Sequence, residues 1–128
     1  MNAISKTLSL LMIFAFVGFS PSGARAADEA GEKIYKKYCS VCHSVESGRN
    51  KIGPSLAGLI GRKSASAERF EYSEPLRSLQ AVWTPDVLDR WLTNPGAMVP
   101  GTRMLFPGLA NGDDRAKLIS YLGTLTDP

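Results

Sequence analysis

The 128-residue sequence has the composition of an ordinary globular protein: 44% of its residues are hydrophobic and 21% are charged. No tract of biased composition interrupts it, which excludes an intrinsically disordered chain and a repeat array. The formal net charge is +3, which is too low for the dense basic face that nucleic-acid binding usually requires. We therefore expect one domain that does not bind nucleic acid.

The N-terminus has the layout of a secretory signal peptide. Lys6 precedes an apolar run from Leu8 to Phe19, and a small-x-small site ends at Ala26. This pattern predicts that residues 1–26 are a cleaved signal peptide and that residues 27–128 form the mature domain. The alternative is a retained anchor, but the apolar run is shorter than the roughly 20 residues that span a bilayer, so we expect no stable membrane insertion after cleavage.

The first predicted helix leads directly into the most unusual segment of the chain. From Asp28 to Cys39, apolar residues recur at helical spacing, namely Gly31, Ile34, Tyr35 and Tyr38. The stretch from Arg49 to Ser66 is rich in Gly and Pro residues that break any periodic pattern, so it is predicted to be a long loop.

Two further helices are predicted in the second half. Thr84-Pro85-Asp86 is a strong helix start, and the apolar residues after it are Val87, Leu88, Trp91 and Leu92. Asn94-Pro95 should end this helix. A last helix is expected from Gly112 or Asp113, with Leu118, Ile119, Leu122 and Leu125 on one face. No convincing period-2 strand is found, so the predicted fold class is all-α.

The segment "YCSVCHS", from Tyr38 to Ser44, holds both cysteines and the single histidine of the chain. A disulfide between Cys39 and Cys42 would close too short a loop to gain much chain entropy, and it would leave His43 without a role. A thioredoxin-type pair would follow a strand, and structural zinc would need four ligands. The remaining interpretation is the c-type haem attachment sequence, in which Cys39 and Cys42 bind the vinyl groups of a covalent haem c and His43 ligates iron.

The second axial ligand decides the chemistry of such an iron. A second protein ligand leaves electron transfer as the use of the iron, whereas an open position permits ligand binding or peroxide chemistry. Without another histidine, the mature chain offers Met98 and Met104, both in "NPGAMVPGTRMLFPG". The residues alone do not choose between them, since a methionine is more often core filler.

Four segments, "CSVCH", "GPSLAGLIGRKSA", "WLTNPGAMVPGTRMLFPGL" and "AKLISYL", together resemble the class I cytochromes c, particularly the mitochondrial-like and bacterial electron-carrier branch. They occur in family order and cover nearly the whole mature chain. The resemblance implies a small cytochrome c fold, with about four to five helices and long loops wrapped around one covalently bound haem.

The resemblance also implies roles for particular residues. Met104 matches the axial methionine, and Pro54 matches the proline whose carbonyl accepts a hydrogen bond from the ligating imidazole. Thr102 matches the threonine that helps to hold the methionine loop over the haem. The residues that fall where the family places groups near a buried haem propionate are Arg62, Tyr72 and Trp83.

The sequence departs from its relatives at several positions. Trp91 replaces the tyrosine that hydrogen-bonds the axial sulfur in relatives, and Leu76 stands where many relatives have an asparagine. The positions that commonly carry lysine in relatives hold other residues here: Tyr38, Gly96, Ala97, Ala110 and Asn111. The familiar basic ring around the haem edge is therefore mostly missing.

We expect an exported monohaem electron carrier, not an enzyme, that works in the periplasm as a monomer. The alternative is a haem peroxidase or a small-ligand sensor with a labile methionine ligand. The expected partners are redox proteins: a membrane oxidoreductase complex, a terminal oxidase, a reaction centre or a periplasmic dehydrogenase.

Cleavage would remove Lys6 and Arg25 from the 15 basic residues and leave all 12 acidic ones, a formal charge of +1. Steering by charge should therefore be weak, and an apolar contact surface is predicted around Tyr38, Ala97, Val99 and Leu105.

Overall fold

The computed structural model describes residues 22–127. In this part of the chain the secondary structure is helical, and the elements are α1 (Ser22–Tyr38), α2 (Glu74–Ser78), α3 (Pro85–Thr93), α4 (Pro95–Met98) and α5 (Gly112–Thr124). Extended pairing among these residues is limited to an isolated antiparallel bridge between Lys63 and Val82. The predicted all-α class is confirmed.

The predicted signal peptide lies outside the described residues, apart from Ser22 to Ala26, which form the start of α1. Cleavage after Ala26 stays a prediction. In the part of the chain that is described, no helix has both the length and the hydropathy to cross a membrane.

α1 and α5 pack closely against each other at Gly31. A β-carbon placed on Gly31 would lie 2.6 Å from Cβ of Tyr121 and 2.9 Å from the carbonyl carbon of Lys117, both on α5. Only a residue without a side chain allows this approach. The crossing positions the end of α1, and with it the segment that holds the two cysteines and the histidine.

The starts of α3 and α5 are fixed by side-chain caps. Thr84 Oγ1 accepts a hydrogen bond from Val87 N at 3.3 Å, as the Thr-Pro-Asp start predicts. Asn111 Oδ1 accepts from Asp113 N at 2.9 Å and from Asp114 N at 3.2 Å. Each helix then buries one apolar face, which comprises Leu88, Trp91 and Leu92 on α3 and Leu118 and Leu122 on α5. The predicted starts of both helices and the end of α3 are confirmed, whereas Leu125, predicted on the face of the last helix, lies one residue beyond the end of α5.

Two short helices, α2 and α4, have no counterpart in the sequence prediction. Each has a proline in its first turn, and in α4 the Asn94 side chain accepts a hydrogen bond from Ala97 N at 3.0 Å. Helices of four and five residues are too short to show an apolar stripe, so caps and prolines are their only local signal. Both lie in the long connections between α1 and α5, which wrap around a central cavity.

Candidate cofactor site

A cavity of about 620 Å³ lies between the helices and loops. Its lining is largely apolar, and its volume is in the range of protein sites that enclose small-molecule ligands. All nine residues predicted to bind a cofactor or its metal line this cavity: Cys39, Cys42, His43, Pro54, Arg62, Tyr72, Trp83, Thr102 and Met104. These residues are spread over 66 positions of sequence, and the fold brings them to one space.

The two cysteines lie on a turn that continues from the end of α1. Cys42 N and His43 N both donate to the Cys39 carbonyl, at 3.0 and 2.9 Å, which turns both thiols toward the cavity that they line. Both are free thiols and half-buried. Burial, with a smaller contribution from the neighbouring Cys42, raises the pKa of Cys39 to about 11. Both thiols therefore line one cavity, where a single ligand could be attached to both, and Cys39 is held in its thiol form.

The His43 ring is oriented by a hydrogen bond of 2.8 Å between Nδ1 and the Pro54 carbonyl. Because a carbonyl can only accept, Nδ1 carries the proton, and Nε2 keeps the lone pair that a metal needs. Burial lowers the pKa of His43, and the charges of Arg62 and Lys51 act in the same direction, whereas the bond to Pro54 opposes them. The ring is therefore held neutral, the form that ligates iron.

Gly53 makes room for this imidazole. A β-carbon at position 53 would lie 2.6 Å from Nδ1 and 2.8 Å from Nε2 of His43, a distance that real side chains do not tolerate. This role of Gly53 was not predicted from the sequence, although a Gly-Pro pair before Ser55 is a signal of a close backbone approach.

Of the two candidate methionines, only Met104 lines the cavity. Met104 lines it, together with its neighbours Thr102, Arg103 and Phe106, whereas Met98 packs against the apolar core and is not among the lining residues. Met104 N donates to Thr102 Oγ1 at 3.3 Å. The thioether of Met104 is therefore the one available to a group in the cavity beside His43.

Arg62 brings a cation to the wall of the cavity. Its two terminal nitrogens donate to the carbonyls of Ala57 and Ser55, at 3.0 and 2.9 Å. Its Nε is buried and has no hydrogen-bond partner within the described part of the chain. An unpaired buried donor is costly, and a carboxylate in the cavity would satisfy it.

Tyr72 and Trp83 lie beside Arg62. The Tyr72 hydroxyl oxygen accepts from Ala67 N at 3.1 Å, which leaves its own hydrogen for another acceptor, and burial raises its pKa. Trp83 N donates to the Arg62 carbonyl at 2.9 Å. The donor set of two thiols, an imidazole, a thioether and a buried polar cluster fits a haem with its carboxylates.

Trp91 and Leu76, two of the positions at which the sequence departs from relatives, also line the cavity. Trp91 is buried, with its ring centroid 5.4 Å from that of Trp83, and Leu76 contributes apolar surface. Neither introduces a charge, so the interior remains a low-polarity enclosure around the ligands.

The predicted apolar surface needs one correction. Tyr38 and Leu105 are exposed, by 44% and 94%, and Ala97 is exposed as well, but Val99 is only 4% exposed because it packs into the core after α4. Three exposed apolar side chains that the sequence did not single out are Val41, Ile52 and Val82. Tyr38, Ile52 and Leu105 line the cavity, and Val41 lies between the two cysteines; these four residues are called the apolar rim below.

The chain is similar to known proteins that fit the donor set of this site. Residues 29–126 match the cytochrome c family. The chain is 42% identical to cytochrome c-554 of Methylosinus trichosporium over 122 residues, which is 91% of this chain and 92% of the relative. It is 43% identical to cytochrome c2 of Rhodopila globiformis over 95 residues, 74% of this chain and 90% of the relative.

A third relative is longer than this chain. The chain is 43% identical over 111 residues to the c-type cytochrome cy of Rhodobacter capsulatus, and the match covers 87% of this chain but 55% of that protein. These relatives are electron-transfer proteins and not enzymes, and in this family the paired cysteines, here Cys39 and Cys42, imply a covalent haem c. The chain therefore belongs to the class I cytochrome c family and is a monohaem electron carrier.

Proposed function

We propose that residues 27–128 are exported to the periplasm and carry single electrons between redox proteins through an iron held by His43 and Met104. The observation that carries this proposal is the placement of an imidazole and a thioether in the same cavity as both cysteines. A site saturated by two protein ligands has no open position for a substrate, so electron transfer is the use that it supports.

When bound, haem c supplies a one-electron couple, and a thioether ligand raises its potential relative to two imidazoles. The protein contributes attachment through Cys39 and Cys42 and an imidazole whose proton is fixed on Nδ1 by Pro54. Arg62 offers its buried Nε to a carboxylate, which lowers the cost of enclosing that charge. The apolar lining keeps water away, and this favours the state with less charge.

The export part of the proposal rests on the N-terminal sequence. It predicts that the protein from the periplasmic fraction begins at Ala27 and has a mass equal to residues 27–128 plus one haem. A mature protein that begins at Met1 and stays with the membrane fraction would contradict export and favour a retained anchor.

The apolar rim supports a specific kind of partner contact. Val41 and Ile52 are 75% and 78% exposed, and Leu105 is almost fully exposed. Of the nearby cations, Arg103 is partly compensated by Glu71 at 3.7 Å, and Lys37 lies over the apolar face of the Tyr38 ring. We therefore expect a small, transient contact in which a redox partner covers this rim with apolar surface of its own, rather than one steered by charge.

A redox titration of the purified protein tests the electron-carrier proposal. The expected result is one reversible one-electron transition and no binding of carbon monoxide by the reduced protein at neutral pH. Rapid carbon monoxide binding by the unmodified protein would instead indicate an open iron, as in a sensor or peroxidase.

A further inference from the structure

Tyr35 contacts both ends of the attachment segment from Cys39 to His43. Its main-chain carbonyl accepts hydrogen bonds from Cys39 N at 2.8 Å and from Ser40 N at 3.0 Å. Its phenol hydroxyl donates to the carbonyl of His43 at 2.8 Å. The sequence pattern identifies Tyr35 only as part of an apolar stripe, and the ring alone would satisfy that pattern.

The position of this hydroxyl is set by the crossing of α1 and α5. Tyr35 is 6% exposed, and its ring packs against that of Tyr121 on α5, with centroids 5.8 Å apart. Gly31, one turn earlier on α1, allows α5 to approach closely enough for this contact. A phenol hydroxyl keeps its proton at neutral pH, so it remains a donor to the His43 carbonyl.

The hydrogen bond from Tyr35 completes the restraint on His43. The imidazole is fixed by Pro54 at Nδ1, and Gly53 lies against the ring. The carbonyl that Tyr35 holds and the imidazole that Pro54 holds are carried by the same α-carbon. Because one end of the residue is tied to α1 and the other to the loop, a shift of the His43 backbone would change the direction of the ring.

We propose that the Tyr35 hydroxyl is a positioning group for His43, which fixes the backbone of this residue and thereby the orientation of its imidazole. The inference rests on the proposed ligation of iron by His43. The hydroxyl also points the positive end of its dipole at the His43 carbonyl and partly offsets the negative end of that carbonyl beside the ligand, which favours the reduced state over the oxidised one. Removing it should therefore lower the midpoint potential.

The matched pair Tyr35→Phe and Tyr121→Phe tests this proposal in the holoprotein. Each variant loses one hydroxyl and keeps the aromatic ring at the helix crossing, but only Tyr35 bonds to His43. We expect Tyr35→Phe to retain covalent haem, to move the paramagnetically shifted NMR resonances of the His43 ring in the oxidised protein, and to lower the potential. Tyr121→Phe should leave the resonances and the potential at their wild-type values.

The wild-type NMR spectrum distinguishes a failure of iron ligation by His43 from a failure of the positioning role of Tyr35. If it shows no shifted histidine ring, the ligation by His43 is wrong. If it shows a shifted histidine ring but Tyr35→Phe leaves the resonances and the potential unchanged, the positioning role is wrong. A lower melting temperature in that variant would then mean that the hydroxyl is only a stabilising contact. Should Tyr35→Phe fail to mature, a slowly exchanging Tyr35 hydroxyl proton close to His43 in the wild type supports the inference, and a rapidly exchanging one overturns it.

Discussion

The two walls of the cavity are built in different ways. On the wall that carries His43, the amide, the carbonyl and the ring of that residue are each hydrogen-bonded, to Cys39, Tyr35 and Pro54, at 2.8 to 2.9 Å. This part is called the histidine wall. On the part of the lining that carries Met104, called the methionine wall, Met104 N makes a longer bond of 3.3 Å to Thr102.

The methionine wall is instead held by contacts that its following residues make with α3 and α5. Leu109 N donates to the Leu92 carbonyl at 2.8 Å, and Arg115 donates to the carbonyls of Leu109 and Ala110, at 2.8 and 3.0 Å. Gly108, at φ 107°, passes so close to the Thr93 carbonyl that a side chain there would collide with it. The comparison teaches that the histidine is fixed locally, whereas the methionine depends on prolines, packing and tertiary anchors.

The largest expected effect comes from removing both attachment thiols. Replacing Cys39 and Cys42 with Ala should abolish covalent haem, because no thioether can form. Haem staining of a denaturing gel and intact mass measure the result, with Met98→Leu as a control that keeps the haem. Covalent haem in the double variant would contradict the attachment assignment.

The next effect tests the methionine wall. Met104→Ala should leave the haem attached but lower the potential and let the oxidised protein bind cyanide, because the sixth position then holds water. Met98→Ala is the matched control, since Met98 packs in the core outside the cavity and should change stability without opening the iron. If Met98→Ala binds cyanide and Met104→Ala does not, the two roles are reversed.

A smaller effect is expected on the histidine wall from Gly53→Ala. The added methyl group would press on the His43 ring, and overpacking of this kind costs about 1–3 kcal/mol. The melting temperature should fall and the shifted His43 resonances should move, while the methionine signals stay. Gly96→Ala serves as the control, because the nearest atom to a β-carbon there is Asn94 Oδ1, at 3.7 Å. Equal effects of the two variants would mean that Gly53 does not act through the imidazole.

A more modest change is predicted for the anchor of the methionine wall. Arg115 Nε lies 2.7 Å from Asp89 Oδ1, and the arginine side chain is mostly buried while the carboxylate is partly exposed. Asp89→Asn should therefore lower stability by no more than about 1 kcal/mol. Asp89→Asn should also lower the temperature at which the sulfur-to-iron absorption band disappears, because the loop that carries Met104 is held less firmly. Glu46→Gln removes a comparable charge near the histidine wall and should leave that temperature unchanged.

The smallest predicted effect concerns salt. Because the apolar rim, rather than a lysine ring, surrounds the cavity opening, the rate of electron transfer to the natural oxidant should fall only slightly between low and physiological ionic strength. Stopped-flow measurement provides the test, and Leu105→Glu should slow the reaction more than salt does. A drop of more than about tenfold with salt would indicate a strongly steered pair.

Much of the site could be predicted from the sequence because its chemistry depends on rare residues. With two cysteines and one histidine in five positions, few alternatives remained for Cys39, Cys42 and His43. The choice of Met104 over Met98 needed the family resemblance, since both lie in one proline-rich loop and spacing does not separate them.

The parts that could not be predicted depend on tertiary contacts. The Tyr35 hydroxyl, the closeness of Gly53 to His43 and the unpaired Nε of Arg62 leave no periodic signal in the sequence. Val99 looked exposed because its loop is rich in proline and glycine, yet the turn after α4 directs it into the core. The long helices were predicted from their apolar faces, whereas α2 and α4 were too short to have one.

The absorption spectrum of the purified oxidised protein at neutral pH tests the central claim most directly. With His43 and Met104 both bound, the spectrum should be that of a low-spin haem with a sulfur-to-iron charge-transfer band, and Met104→Ala should remove this band while Met98→Leu retains it. A high-spin spectrum without the sulfur band in the unmodified protein would contradict the account, because it would mean that the methionine wall leaves the iron open.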